Sequence, residues 1–345
     1  MRLPGGRAAH KVLKLSGVTL GVAAAEHVFV ARRRRHDPAA HEDFAQRRGV
    51  RARTIELDDG ARIFMEEAGP AGNKGAVFVH GSAMRSDMWH YQLGGIGDHR
   101  LVFYDLRGHG RSQPKGDSEL SVTTLATDLE AVGRAAGLEE MVVVGHSLGG
   151  MVALELCRAR RADLGSVIKG LVLINTTPKP PVETLAGGAA AARLERLLRR
   201  PVDVLGSQAH RIEMLRRVVR PSDALFWGLS LAAFGPGASA RQVDFAYDML
   251  SETPTDVIFD LFKAYRHFDG TDALGEITVP ALVIGGTRDH LTVASASEYI
   301  ARHLPKAELE LLEGCGHLVM LERHEELNTM LRSFFDDTLG TSRRE

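Results

Sequence analysis

Cysteine is almost missing from this chain: its 345 residues include 2, Cys157 and Cys315. Two thiols are too few for a disulfide scaffold or a thiolate zinc site, and their separation excludes the close cysteine pair of a zinc finger. Charge of one sign is missing too. Lys and Arg number 43 against 44 Asp and Glu, a net of −1, so the whole-chain field gives no reason to expect nucleic acid as a partner. Long apolar runs are also lacking. The stretch Leu15–Ala25 has 11 residues, against the roughly 20 needed to span a bilayer. What is present, 44% hydrophobic and 25% charged residues, fits a globular enzyme or binder. The length allows one large domain with an insertion, or two smaller ones.

The charge balance hides an asymmetry. Residues 1–50 hold ten Lys or Arg, including the run Arg32 to Arg35, and four acids, a net of +6; the remaining residues carry −7. Three readings of this leader stay open: a signal peptide ending at Ala23-Ala24-Ala25, a membrane-associated arm held by the Arg run, or a disordered arm. The Arg run so soon after a cleavage site makes secretion the weaker expectation, leaving the protein cytoplasmic or membrane-associated. The one macromolecular contact expected is peripheral contact of residues 1–50 with a membrane.

From residue 51 short apolar runs alternate with helical stretches. Thr54–Leu57 and Arg62–Met65 flank Asp58-Asp59-Gly60, which reads as an antiparallel hairpin, since Asp-Gly tolerates the positive φ of a tight turn. Then come Ala76–Val79, Leu101–Tyr104, Met141–Val144, Leu171–Ile174, Ala281–Ile284 and Leu309–Leu312. Nearly continuous apolar runs fit strands covered on both faces, so the fold class is α/β: a mostly parallel sheet opening with an antiparallel hairpin. Between Pro178 and Asp272 no buried strand is evident, which predicts an inserted helical cap. The expected organisation is a leader (1–50), core (51–178), cap (179–272) and core again (273–345).

The chemistry concentrates at strand ends. Gly145-His146-Ser147-Leu148-Gly149 is a G-x-S-x-G turn between an apolar strand and an amphipathic helix, the context that exposes a serine hydroxyl as a nucleophile. A serine needs a base to take its proton, and the base needs an orienting group. Asp289 follows the strand Ala281–Ile284, and His317 sits in a glycine-flanked loop after Leu309–Leu312; the chain order Ser147, Asp289, His317 is that of a nucleophile-elbow hydrolase. His146, beside the nucleophile, is poorly placed to face it. The oxyanion formed on a carbonyl needs two backbone N–H donors, and the candidates are Leu148 and Ser82. His80 and Gly81, with Asp105, Arg107 and His109 in the polar turn Asp105–Ser112, are expected to order the loops beside the elbow.

His80-Gly81, Asp105–Ser112, Gly145–Gly150, Gly285–Asp289 and Gly316-His317 together resemble the α/β-hydrolase superfamily from about residue 51 onward, and are similar to actinobacterial esterases, lipases and cofactor-free haloperoxidases. The resemblance implies a serine hydrolase of small-molecule carboxylic esters, with no cofactor and no metal. Ser82 and Leu148 stand where perhydrolase-like members often carry bulkier residues or Met, which favours water over peroxide as acceptor. A C–C bond hydrolase of ring-cleavage products is the other reading on the same triad. Met88, Trp89 and Trp227 are expected to line the substrate pocket. Apolar residues from Leu194 to Val219, interleaved with eight Arg between Arg193 and Arg220, read as cap helices or a basic amphipathic lid.

Overall fold

Gly60 takes φ 83° at the tip of the first hairpin, the left-handed backbone that the Asp-Gly turn requires. It joins β1 (Arg51–Glu56) to β2 (Arg62–Ala68) antiparallel, with Arg51 opposite Glu67 and Glu56 opposite Arg62. The computed structural model describes residues 27–44, 49–113, 119–180, 223–266 and 268–340. Here β2 pairs antiparallel with β4 (Leu101–Tyr104), after which the sheet is parallel through β3 (Lys74–Val79), β5 (Glu140–His146), β6 (Ile168–Ile174), β7 (Ala281–Gly286) and β8 (Ala307–Leu312). The order across the sheet is β1-β2-β4-β3-β5-β6-β7-β8. Each of the six later apolar runs lies inside one of these strands.

The helices are α1 (27–35), α2 (His90–Gly95), α3 (Val122–Ala135), α4 (Leu148–Ala159), α5 (Asp223–Ala233), α6 (Ala240–Glu252), α7 (Thr255–Tyr265), α8 (Ala294–His303), α9 (Val319–Glu322) and α10 (His324–Leu339). Because strand side chains alternate, each apolar run feeds two cores. Phe78, Phe103, Val144 and Ile174 pack on one face with Leu321 of α9 and Leu331 and Phe335 of α10. Val79, Tyr104, Val143 and Leu173 pack on the other with Leu125 and Leu129 of α3 and Val152 and Leu156 of α4. Only β8 departs from the expected coverage: Leu309 and Leu311 stay part-exposed, because this edge strand pairs with β7 alone.

Among the described residues, helices α5, α6 and α7 lie between β6 and β7 in the chain. Phe226, Phe234 and Phe245 join one core and Leu261 and Phe268 the other, so the insert shares the core of the sheet rather than standing beside it. The Arg193–Arg220 stretch lies outside the described residues.

The leader divides in two. Leu15–Ala25 is outside the described residues, whereas residues 27–44 pack on the insert. Val30 and Phe44 are buried. Phe44 stacks on Phe245 of α6 with centroids 4.3 Å apart, burial worth about 1.5–3 kcal/mol for a side chain of this size. Asp37 accepts hydrogen bonds from Ser239 Oγ (3.0 Å) and the Arg241 amide (2.6 Å), and Glu42 Oε1 lies 2.8 Å from His90 Nε2. Among the described residues no helix is long and apolar enough to cross a membrane.

Candidate active site

Strand β5 runs into α4 through a turn so tight that its flanks admit only glycine. A Cβ on Gly145 would lie 2.4 Å from the Gly149 carbonyl oxygen, and one on Gly149 would lie 2.2 Å from that of Val79. Ser147, between them, is held at φ 53°, ψ −118°, one of three non-glycine residues at positive φ among those described. Such a conformation costs about 1–3 kcal/mol and persists only where its surroundings enforce it. The enforcement is visible: Thr176 Oγ1, just beyond β6, donates to the Ser147 carbonyl at 2.6 Å. Ser147 itself makes no cap hydrogen bond with its side chain, which leaves Oγ for other work.

His317 is reached from the loop after β8. Its Nδ1 lies 2.7 Å from Asp289 Oδ2, in the loop after β7, and both side chains are buried. Asp289 Oδ1 accepts the amides of Leu291 (2.7 Å) and Thr292 (2.9 Å), and Oδ2 also accepts Thr292 Oγ1 (2.7 Å). Burial works against the charge on Asp289, but the His317 ring and the Thr292 donors outweigh it, and its pKa falls below the ordinary carboxylate value. An ionised Asp289 fixes the proton of His317 on Nδ1 and leaves Nε2 as the acceptor.

The backbone around His317 is pinned from three sides. Asn175 Nδ2, at the end of β6, donates to the carbonyls of Gly316 (3.0 Å) and His317 (2.8 Å), while its Oδ1 accepts the Gly286 amide (2.8 Å). His146 Nε2 donates to the His317 carbonyl at 2.9 Å, and its ring lies 4.6 Å from that of His317. Burial holds the His146 pKa well below the ordinary histidine value, so the ring is neutral and its Nδ1 is a buried bare acceptor. The His317 amide in turn donates to the Ala233 carbonyl at the end of α5 (2.8 Å). Asn175 and His146 were missed as positioning residues, because their partner is a backbone oxygen far away in sequence.

Glu322 ties the same loop to the insert, accepting the Gly316 amide on Oε1 (3.0 Å) and the Gly235 amide on Oε2 (2.7 Å). Burial pushes its carboxyl up to about 7 from an ordinary 4.5, against the pull of those donors. A folded pKa above the unfolded one means that the native state binds more protons between these values, so this group subtracts stability as pH rises from about 4.5 to about 7. Glu322→Gln cannot ionise. In thermal unfolding its melting temperature should gain on the wild type between about pH 5 and about pH 8; a pH-independent difference would contradict the shifted pKa.

The loop after β3 faces the elbow. His80 Nδ1 donates to the Gly81 carbonyl (2.8 Å) and its Nε2 accepts the Leu106 amide (2.8 Å), while His109 Nε2 accepts the Ala83 amide (3.2 Å). Both rings are kept neutral, burial lowering His80 and bringing His109 to about 3. Asp105 takes the amides of Ser86 (2.7 Å) and Arg111 (2.8 Å), and Arg107 makes a two-pronged pair with Asp128 (2.8 and 2.6 Å). These contacts set Gly81 against the elbow, where a Cβ would come 2.8 Å from His146 Nδ1. Among the described residues no backbone carbonyl takes the amide of Ser82 or Leu148.

Ser82, Ser147, Leu148, Thr292 and His317 open on one cavity of about 370 Å³. Its remaining wall is mainly apolar, including Met84, Met151, Leu229, Leu250, Leu291 and Leu318. Tyr265, at the end of α7, also lines it, with its phenol pKa raised by burial. The three residues expected in the pocket are not in this wall. Met88 and Trp89 are fully buried, with the Trp89 ring edge-on to Phe78 at 5.1 Å, because the short 3-10 helix that carries them, Ser86–Trp89, turns into the core against the sheet. Trp227 lies on a face of α5 away from the cavity, against Phe29. Leu291 and Leu318 sit next to the candidate residues in sequence and Met151 one helical turn past Ser147, signals that could have found them.

A mostly parallel sheet with a strained Ser turn after β5, a buried Asp after β7 and a His after β8 defines a hydrolase. The chain belongs to the alpha/beta hydrolase family, whose model matches residues 76–329. It is 30% identical over 291 residues to a non-heme chloroperoxidase of Streptomyces lividans, covering 81% of this chain and 98% of that one. A solved esterase from Thermogutta terrifontis shares the fold at TM-score 0.66 and 23% identity, over 84% of this chain and 99% of that chain. A membrane phospholipase A shares it at TM-score 0.65 and 21% identity, over 96% of this chain and 98% of that one.

Proposed function

We propose that the chain hydrolyses carboxylic esters through an acyl-enzyme on Ser147. His317 Nε2 takes the Ser147 proton as Oγ attacks the ester carbonyl carbon, and the oxyanion is met by the amides of Ser82 and Leu148. The tetrahedral adduct collapses as His317 returns the proton to the departing alcohol. Water, deprotonated by the same ring, then repeats the attack and releases the acid. Asp289 holds the tautomer and steadies the imidazolium. The observation that carries this reading is the 2.7 Å contact of His317 Nδ1 with Asp289 beside a cavity on which Ser147 opens at positive φ. The mainly apolar wall suits the acyl or alcohol part of an ester.

The likeness to a chloroperoxidase favours a second reading, in which hydrogen peroxide attacks the acyl-enzyme in place of water and forms a peracid. The C–C hydrolase reading finds less support, since no described Arg or Lys lines the cavity to hold a second carboxylate. The test measures hydrolysis of p-nitrophenyl esters of increasing acyl length and peracid formation from acetate esters on the same preparation. We expect hydrolysis to dominate, with esters of small to medium acyl chains turned over; perhydrolysis dominating at low peroxide overturns the reading.

A further inference from the structure

Helix α1 lies against α5, and the contacts fix which side of each faces water. Arg33 donates to Ser230 Oγ (3.1 Å) and the Ala238 carbonyl (2.7 Å), and Arg34 grips Asp244 with two hydrogen bonds (2.9 and 2.7 Å). Both guanidinium groups also lie over the Phe226 ring, at 5.6 and 5.1 Å. With Val30 buried and Arg33 part-buried against α5, the helical period turns Val28, Arg32 and Arg35 outward. Val28 is 65% and Phe29 53% exposed, two adjacent apolar side chains open to water.

On α5 the same accounting gives three faces. Phe226, Ser230 and Ala233 are buried, Leu229 and Ala232 line the Ser147 cavity, and Leu231 is 67% exposed. Phe29 meets Trp227 with ring centroids 5.1 Å apart, and Leu231 lies one turn beyond Trp227, so the apolar residues of α1 and α5 form a single ridge. Arg32 and Arg35 border it. The acids nearest on the insert, Asp223 and Asp244, are engaged by His27 and Arg34, and the positive charge of the chain is gathered in residues 1–50.

We propose that α1 and α5 form one face that seats on an anionic lipid bilayer, Val28, Phe29 and Leu231 entering the headgroup boundary and Arg32 and Arg35 meeting lipid phosphates. Apolar residues bordered by Arg on adjoining helices are the pattern of an interfacial contact, and the charge complementarity selects an anionic surface over a neutral protein partner. Since α5 is also a wall of the cavity, and its last carbonyl holds the His317 amide, the face brings the cavity beside the bilayer. Its substrate is then an acyl ester drawn from the membrane; this half of the proposal rests on the hydrolytic reading above.

The test uses the full chain in co-sedimentation with vesicles of phosphatidylglycerol and phosphatidylcholine, or of phosphatidylcholine alone. The wild type should bind the anionic vesicles and lose binding as salt is raised. The double variant Phe29→Asp/Leu231→Asp should bind about tenfold less, and Arg32→Glu/Arg35→Glu should lose the preference for anionic vesicles. Both should stay folded by circular dichroism and keep wild-type hydrolysis of p-nitrophenyl acetate, while losing activity on a long-chain ester embedded in the vesicles. Wild-type binding by both variants would place any membrane contact elsewhere in the chain and overturn the proposal. So would a dimer that either variant converts to monomer, since the face would then be an interface between copies. A wild type that binds vesicles but cleaves no ester would refute the hydrolytic reading and leave the docking face standing.

Discussion

Ser147→Ala is expected to lower ester hydrolysis by about 10⁴-fold or more and to abolish labelling by a fluorophosphonate probe, because the nucleophile has no substitute within a triad that acts as a unit. Folding should be untouched. The Ser147 side chain makes no cap hydrogen bond, the strained backbone is held by the Gly145 and Gly149 contacts and by Thr176 on the carbonyl, and alanine is no worse at φ 53° than serine. Circular dichroism and melting temperature check the fold, and steady-state rates with the probe check the chemistry. A Ser147→Ala protein that still labels fully would sink the assignment.

Asp289→Asn should be nearly as damaging, for a different reason. Its Oδ1 can still accept the Leu291 and Thr292 amides, so the loop geometry survives. At the Oδ2 position, however, the amide group presents donors to His317 Nδ1, which favours the tautomer with the proton on Nε2, where the serine proton must go. A loss in kcat of about 10⁴-fold is expected, as for a triad whose histidine is held in the wrong tautomer. KM should change little, since Asp289 does not line the cavity. Activity within tenfold of the wild type would show that another group orients His317.

How far these features could be read in advance depended on whether each signal was local. The strands were legible because a run such as Leu101–Tyr104 is buried on both faces and has no other reading. The elbow was legible because its glycines answer to contacts within the turn and its nearest strand. The pocket was not. Met88 and Trp89 follow the loop beside the elbow, but which side of a short helix faces the cavity depends on α10 and the sheet, which pack against it from elsewhere in the chain. Residues 27–44 were equally opaque, since Phe44 owes its place to Phe245 and Arg34 to Asp244, about two hundred positions away. Asn175 carries no local signal of its role. Its amide is what holds the His317 carbonyl and the Gly286 amide together, and no periodicity announces such a clamp.

The measurement that bears most directly on the account is the covalent intermediate itself. The full chain is mixed with excess p-nitrophenyl acetate, quenched with acid within the first turnovers, digested, and mapped by mass spectrometry. An acetyl group on Ser147, appearing at the rate of the p-nitrophenol burst and absent from Ser147→Ala, is the predicted result. Turnover accompanied by an acetyl group on a different side chain, or by none on Ser147 at any quench time, would contradict the account.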